Sequence, residues 1–343
     1  MTNRPDLSIL IVNWNSRDFL RKCLASIYAR TQSVTFEVLV VDNASFDGAA
    51  EMVGTEFPQV RFLQSDCNLG FAGANNYAFE HSSGGAVLLL NPDTELEDDA
   101  IGKMFLALKA LPDAGVVGCK LLNTDLSIQT PCIKRFPTIL GEILNIEWLR
   151  LKWPRCSLWS IAPLFSEPGE PVQVDAVGGA CQMIPREVYQ AVGGLSTKYF
   201  MYVEDIEISA AALSRGKKTY YVGAARIIHH GGQSSGGKDR GGRWVAIMQK
   251  EAMWQFFRTW RGKAYAAAYR ATIAMVSVVW LLAVSVLSPF LLAIRGSGSV
   301  TRVWRKWLGA LQWSLRLENL TRQFRSQLSS RQVVGRLQSE ARR

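Results

Sequence analysis

Leu88-Leu89-Leu90-Asn91-Pro92-Asp93-Thr94-Glu95 is the stretch on which the fold turns. An apolar run of strand length halts at Asn-Pro-Asp-Thr. Pro92 has no N–H to give to a central ladder, so the strand ends before it. Asp93 is then held on a short turn at the strand's C-terminal edge, where open parallel α/β sheets place their ligands. A carboxylate there can hold a divalent cation or a ribose hydroxyl. The octapeptide alone reads equally as a solvated turn capping the next helix, so the surrounding chain has to choose.

Upstream, Leu7 to Val12 reads as a buried strand, and Asn13-Trp14-Asn15-Ser16 follows it. Ser16 is placed to N-cap a helix from Arg17 to about Ala29, with Phe19, Leu20, Cys23, Leu24 and Ile27 at helical spacing. Phe36 to Val41 is a second buried strand, ending at Asp42-Asn43-Ala44-Ser45, and a short helix starts at Asp47. Val60 to Leu63 is a third strand; it leads to Asn68-Leu69-Gly70-Phe71-Ala72-Gly73-Ala74-Asn75-Asn76 and a helix to about His81. The strand Ala86 to Leu90 completes a β-α-β-α-β-α-β series with short links. That pattern predicts an α/β fold, a mostly parallel sheet with helices on both faces. Right-handed crossovers bring the strand-end loops to one edge, so Asn13, Asp42, Asn68, Asn75 and Asp93 are expected to converge. Asp42 at a strand end suits a nucleotide base or ribose. No G-x-G-x-x-G follows the first strand and no P-loop lysine motif is present, which excludes the standard dinucleotide and P-loop folds. Gly70 to Gly73 reads as a phosphate cradle or as a tight turn into a packed helix.

Charge is unevenly placed. The formal net charge is +10, and the segment from Arg295 to Arg343 carries eleven Lys/Arg against two Asp/Glu, +9 by itself. The basic character belongs to a tail, not to the body. Six cysteines without C-x-x-C spacing argue against a zinc site and against a disulfide framework, and fit a reducing compartment. The polar run Met1 to Asp6 leads straight into a strand, so no signal peptide is expected.

Downstream, a helix from about Asp99 to Leu111 and a strand at Val116-Val117-Gly118 continue the alternation. An insert at about residues 135–165 then places Trp148, Trp153 and Trp159 among Arg150, Lys152 and Arg155. It reads as a helix with a solvated basic face or as an acceptor-side flap on a membrane interface. Val174 to Ile184 resumes strand character, and Gly178-Gly179 inside it suggests a close backbone approach, with a ligand as one candidate. A helix from Arg186 to Val192 ends at Gly193-Gly194. In Tyr199 through Ile208, Glu204, Asp205 and Glu207 sit among aromatics that can raise a carboxylate pKa; an acidic first helical turn gives the same pattern. After a strand around Thr219 to Val222, Ile227-Ile228-His229-His230-Gly231 sets two histidines at a strand end before a Gly/Ser-rich loop, which tilts toward a metal or phosphate role.

Ala271 to Ile294 is 24 residues without a formal charge, long enough to cross a bilayer. Basic residues flank it on both sides and leave three readings: a spanning helix, an interfacial element with both flanks on one side, or a buried soluble helix. The tail after it alternates Trp and Leu with Arg and Lys, as an amphipathic helix on anionic lipid does. Its aromatic face makes lipid a better partner than nucleic acid.

Taken together, Ile11 to Asn15, Val41 to Ser45, Asn68 to Asn76, Leu90 to Thr94, Phe200 to Asp205 and His229 to Ser234 resemble the family 2 glycosyltransferases. The resemblance is particularly to the bacterial rhamnosyltransferase-like and galactofuranosyltransferase-like branch, over roughly Leu7 to Ser235. The apolar segment 271–294 and the basic tail 295–343, read from their own composition, make 244–343 a helical membrane-associated region. The resemblance implies a GT-A fold, expected over residues 1–243. It also implies an inverting mechanism, a nucleotide-diphosphate sugar donor, a divalent metal (Mg²⁺ or Mn²⁺), and a lipid-linked or polysaccharide acceptor at the cytoplasmic face of a bacterial inner membrane. Carried over, Asp205 is the catalytic base and Glu204 positions the acceptor or the loop. Asn13, Asp42, Asn68, Gly70, Asn75, Asn91 and Asp93 line the donor site. Asp93 and His229, or less readily His230, hold the metal. Asn91 stands where an Asp-x-Asp motif has its first acid. The donor expected from the branch is dTDP-rhamnose, with UDP-galactofuranose, UDP-N-acetylglucosamine or another UDP-hexose as the alternatives. A catalytically silent sugar-nucleotide-binding scaffold at the membrane is the non-enzyme alternative.

Overall fold

The computed structural model describes residues 4–129, 132–144, 152–153, 156, 169–199, 201–231, 242–295 and 297–316. Most of the Trp/basic insert, the Gly/Ser-rich loop after Gly231 and the tail beyond Arg316 lie outside these residues, as does Phe200. The elements, in chain order, are β1 (Leu7–Asn13), α1 (Arg17–Arg30), β2 (Phe36–Asp42), α2 (Ala49–Glu56), β3 (Arg61–Gln64), α3 (Gly70–Glu80) and β4 (Ala86–Leu90). Then come β5 (Thr94–Leu96), α4 (Ala100–Ala110), β6 (Ala114–Leu122), β7 (Ile133–Lys134), α5 (Ile139–Leu144), β8 (Val172–Val174), β9 (Ala176–Val177) and β10 (Cys181–Pro185). The chain continues through α6 (Arg186–Val192), α7 (Glu204–Leu213), β11 (Lys218–His229), α8 (Gly242–Trp260), α9 (Lys263–Arg295) and α10 (Ser297–Ser314).

The central sheet runs β3-β2-β1-β4-β10-β6-β11-β5, with β8 paired on β11. β3, β2, β1 and β4 are mutually parallel, and β6 is parallel to β11. β10 is antiparallel to both neighbours, and β5 is antiparallel to β11. β1 and β4 are buried at every position, as their continuous apolar runs require in a sheet covered on both faces. The order reverses between β1 and β4: β2 and β3 lie to one side of β1 and β4 to the other. This is the switch point at which an open α/β sheet leaves a crevice; Asn13 ends one of the two strands that flank it and Asn91 follows the other.

Several local expectations change. Ser16 does not cap α1 through its side chain; its hydroxyl donates to Trp14 O, and Asp47 Oδ2 accepts the Arg17 N–H instead. Phe19 is outside the core and packs its ring 5.2 Å from that of His230. The expected single strand Val174 to Ile184 is broken into β8, β9 and β10, with Gly178 and Gly179 in the break. The short strand expected at Thr219 to Val222 is a twelve-residue strand that reaches His229.

A second apolar core lies apart from the one around the sheet. It joins Tyr199, Val203, Ile206 and Ala210, in and before α7, to Phe256 and Phe257 of α8, Tyr269 and Ile273 of α9, and Ala310 and Trp313 of α10. The C-terminal helices are therefore packed directly beneath the acidic helix.

Candidate active site

At the end of β1 and β2, Asn13 and Asp42 are register partners and both are buried. Asn13 Nδ2 donates to Asp42 Oδ1 at 2.7 Å. Gln64 Nε2 (2.8 Å) and the Ser45 N–H (3.1 Å) donate to Asp42 Oδ2, and the Ser45 hydroxyl to Oδ1. Asn13 Oδ1 is left buried without a partner among the described residues, an acceptor that a ligand hydroxyl or N–H would satisfy. Beside it Asn43 ties two loops: its Nδ2 donates to Asn68 Oδ1 at 3.0 Å and its Oδ1 accepts from the Leu69 N–H at 2.7 Å. Asn68 Oδ1 also accepts from the Gly70 N–H at 2.8 Å, and Gly70 takes φ +73°, where a side chain would be strained. Asn75 does not join this edge. It is buried inside α3 with its amide donating to Phe71 O at 2.9 Å.

The Asn-Pro-Asp turn after β4 carries the second cluster. β5 pairs with the end of β11 so that His229 lies opposite Thr94, which brings His229 against Asp93. His229 Nε2 is 3.4 Å from Asp93 Oδ1 and 3.5 Å from Asn91 Nδ2. On the other side of the ring, Nδ1 meets Gln129 Oε1 at 2.9 Å, while Gln129 Nε2 donates to His229 O. Because the Gln129 amide nitrogen is engaged, its oxygen is the acceptor, so Nδ1 carries a proton, and in the neutral form of the ring Nε2 presents a lone pair. Asp93 Oδ1, buried and without a hydrogen-bond partner among the described residues, faces that lone pair. Two acceptors converging on one point are held together by a cation or a proton between them. This is the observation by which the pair fits the divalent metal that the fold family implies. Among the described residues no three His, Cys, Asp or Glu side chains cluster for a metal, so protein would supply Asp93 and His229, with ligand oxygens and water completing the shell. His230 is turned away: Nε2 meets Glu95 Oε1 at 2.8 Å.

The acids of α7 form the third cluster. Tyr202 and Val203 precede the helix at φ +75° and +74°. Positive φ is unusual for any side chain and more so for a β-branched one. The turn is fixed by Val203 O, which accepts from the N–H groups of Ile206 (3.1 Å) and Glu207 (2.8 Å), and by burial of Val203 in the second core. Asp205 Oδ2 is ion-paired with Lys134 Nζ and accepts from the Gly179 N–H at 3.0 Å; Oδ1 accepts from its neighbour Ile206 at 2.9 Å. A carboxylate has about four acceptor positions, so among the described residues one remains open. The close approach expected at the paired glycines is thus to Asp205: a Cβ on Gly179 would stand 3.1 Å from Asp205 Cβ. Burial first, and then the neighbouring Asp205 charge, push the Glu204 carboxyl up to about 7. The acid and metal-type clusters are joined through backbone, since Asn91 N–H donates to Ala180 O at 2.9 Å, one residue beyond Gly179.

These three clusters belong to a fold whose architecture is shared with a mannosyltransferase from Pyrobaculum calidifontis, solved in complex with GDP-Man and Mn²⁺. That likeness has a TM-score of 0.55 at 17% identity and covers 92% of this chain and 88% of that one. Residues 8–144 match the model of glycosyl transferase family 2. The chain is a glycosyltransferase. It is 28% identical over 243 residues to the N-acetylglucosaminyl-diphospho-decaprenol L-rhamnosyltransferase of Mycobacterium tuberculosis, covering 67% of this chain and 78% of that protein. It is 22% identical over 233 residues to the rhamnosyltransferase WbbL of Escherichia coli K12, covering 65% and 82%. The fold of this glycosyltransferase is the mostly parallel GT-A type that the motifs implied.

Lys134, Gln129, Gln64 and Asn43 are among the partners that the sequence did not single out. Asn43 lay inside a quoted motif. Lys134 and Gln129 had no pattern around them; the only signal was indirect, that a buried acid needs a cation and a ligating histidine needs an orienting acceptor.

Proposed function

We propose that this glycosyltransferase is an inverting enzyme that moves rhamnose from dTDP-rhamnose to a lipid-linked or polysaccharide acceptor in cell-envelope glycan synthesis, at the cytoplasmic face of the membrane. The donor sugar rests on the two rhamnosyltransferase relatives. The single observation that carries the site reading is the pair of opposed acceptors, Asp93 Oδ1 and His229 Nε2, at the switch-point crevice.

In this reading Asn13 and Asp42 hold the nucleoside, with Asn13 Oδ1 taking a hydroxyl or N–H of the donor. Asn68 and Gly70 shape the loop around it, while Asn91 and Asp93 face the diphosphate. A bound Mg²⁺ or Mn²⁺ supplies positive charge against that developing on the leaving diphosphate. Asp205 accepts the acceptor hydroxyl's proton at its open lone-pair position as the hydroxyl oxygen attacks the anomeric carbon. Lys134 and the Gly179 N–H fix the direction of that lone pair. Glu204, buried beside Asp205, positions the acceptor.

The deciding experiment is a thermal-shift panel of dTDP- and UDP-sugars with Mn²⁺, Mg²⁺ and chelator, followed by transfer assays with the best donor. A ligand that binds the folded chain alone raises its melting temperature. A metal-dependent shift that is largest with dTDP-rhamnose is expected. A larger shift and faster transfer with a UDP-hexose would replace the donor. Binding of a donor without transfer to any acceptor would turn the reading to the silent scaffold.

A further inference from the structure

The second core has a covered side and an open side. In α9 the residues turned inward are Ala266, Tyr269, Ile273, Ser277 and Val284, at the three- and four-residue steps of one helix face. On the opposite face Met275, Val279, Leu282 and Val286 make a stripe between 59% and 77% exposed. A continuous apolar stripe of this length marks a contact surface. α10 runs back along the covered side. Trp280 stacks on Trp307 with centroids 5.6 Å apart, and the earlier Tyr269 meets the later Trp313 at 6.1 Å, so the two helices are antiparallel. The end of α10 is fastened to α8, since Trp313 Nε1 donates to Glu251 Oε2 at 2.8 Å. Arg270 lies between the rings of Trp254 and Trp313, beside the same carboxylate.

We propose that α9 and α10 form a membrane-docking hairpin that lies in the plane of an anionic leaflet, with the Met275–Val279–Leu282–Val286 stripe in its apolar layer, and that enters and leaves on the catalytic side without crossing. This rests on the membrane association proposed above and specifies its geometry. Residues Lys263–Ser288 are long and apolar enough to cross a bilayer. What opposes crossing is the partner helix: α10 is packed against α9 and exposes Arg305 and Lys306, which a crossing hairpin would carry into hydrocarbon. In the plane of the leaflet the same residues are favourable. Arg258, Arg261 and Lys263 are exposed around the α8–α9 turn, and with Arg305 and Lys306 they complement anionic headgroups. The Trp280–Trp307 pair, with Lys250 and Lys306 near the Trp307 ring, has the aromatic and cationic make-up of the headgroup level. Because Val203 and Ile206 of the acid helix share the core of this hairpin, Glu204 and Asp205 keep a fixed height above the leaflet.

The test uses the full chain in two arms. In flotation, vesicles containing phosphatidylglycerol should carry the protein and neutral phosphatidylcholine vesicles at least about tenfold less, with high salt releasing it. Val279→Glu and Val286→Glu, both at exposed positions, should abolish flotation with an unchanged melting temperature. In the topology arm, Cys67 on the catalytic domain is exposed and marks the catalytic side to an impermeant thiol reagent. Ser297→Cys, at the α9–α10 connection, should be labelled only in the membrane vesicle orientation that labels Cys67. Flotation together with labelling of Ser297→Cys from the opposite side would overturn the in-plane hairpin and leave the membrane reading standing. No flotation with any vesicle would overturn both, and dimerisation lost with Val279→Glu would assign the stripe to a second copy of the chain.

Discussion

His229 Nε2 and Asp93 Oδ1 face each other at 3.4 Å although neither offers the other a hydrogen in the neutral-ring state. If a divalent ion is what joins them, Asp93→Ala and His229→Ala should each remove the Mn²⁺-dependent part of the donor-induced melting shift. Gln129→Leu frees the imidazole to rotate and should cost about 10–100-fold in metal affinity. Isothermal titration with Mn²⁺ in the presence of nucleotide measures it. Unchanged Mn²⁺ affinity in Asp93→Ala would place the ion elsewhere.

Lys134 is the cation on the acid proposed as base. Lys134→Met should lower kcat on the order of 100-fold, the low end of what positioned proton transfer contributes, and leave the donor KM near wild type. Lys134→Arg, which keeps the charge, should recover part of the loss. A steady-state series with a pH profile separates this from a folding defect, since misfolding would lower active enzyme without moving the profile.

Glu204 gives a pH prediction with a definite sign. Its carboxyl is raised in the folded chain, from an ordinary carboxylate value to about 7. The folded state therefore holds a proton that the unfolded state releases, and stability falls as pH rises from about 4.5 to about 7, with the full penalty present above that. Glu204→Gln should be more stable than wild type at pH 8, by up to about 3 kcal/mol, and equal to it at pH 4. Denaturant melts at the two pH values measure it. Equal stability at both would show that the carboxyl is not held proton-rich by burial.

The parts of this fold that were legible in the sequence are those in which local chemistry and tertiary position agree. Pro92 closes β4 after Leu90, the buried runs of β1 and β4 match a sheet covered on both faces, and Gly193 ends α6 at φ +84°. The elements that were misread depend on pairing over long separations. β11 is longer than its apolar run suggests because β6 and β5 both hydrogen-bond to it. In the same way, Asp47 replaced Ser16 at the α1 N-terminus because a loop from the next crossover reaches it. The site divides along the same line: Asp93, His229, Glu204 and Asp205 stand in motifs, whereas Gln129 and Lys134 reach them from about 100 and 71 positions away and have no local pattern.

The shared core under α7 bears on where this enzyme can be cut. Deleting the chain from Ala271 onward removes Ile273, Ala310 and Trp313 from the cluster that seats Val203 and Ile206. Removing one large core side chain costs about 2–5 kcal/mol, so losing three inward residues and the helices that carry them should lower the melting temperature by about 10 °C or more in a chain this long. Transfer should fall as well, even to a soluble acceptor in detergent, because the positive-φ turn at Tyr202 and Val203 that aims Glu204 and Asp205 is over-determined only while that core is filled. The full chain carrying Val279→Glu is the control, since it removes lipid contact and keeps the core. Calorimetry and a soluble-acceptor assay on both variants distinguish the two roles. Wild-type melting and transfer in the truncated chain would make α9 and α10 an appended anchor, whereas loss in the truncation alone makes them part of the catalytic scaffold.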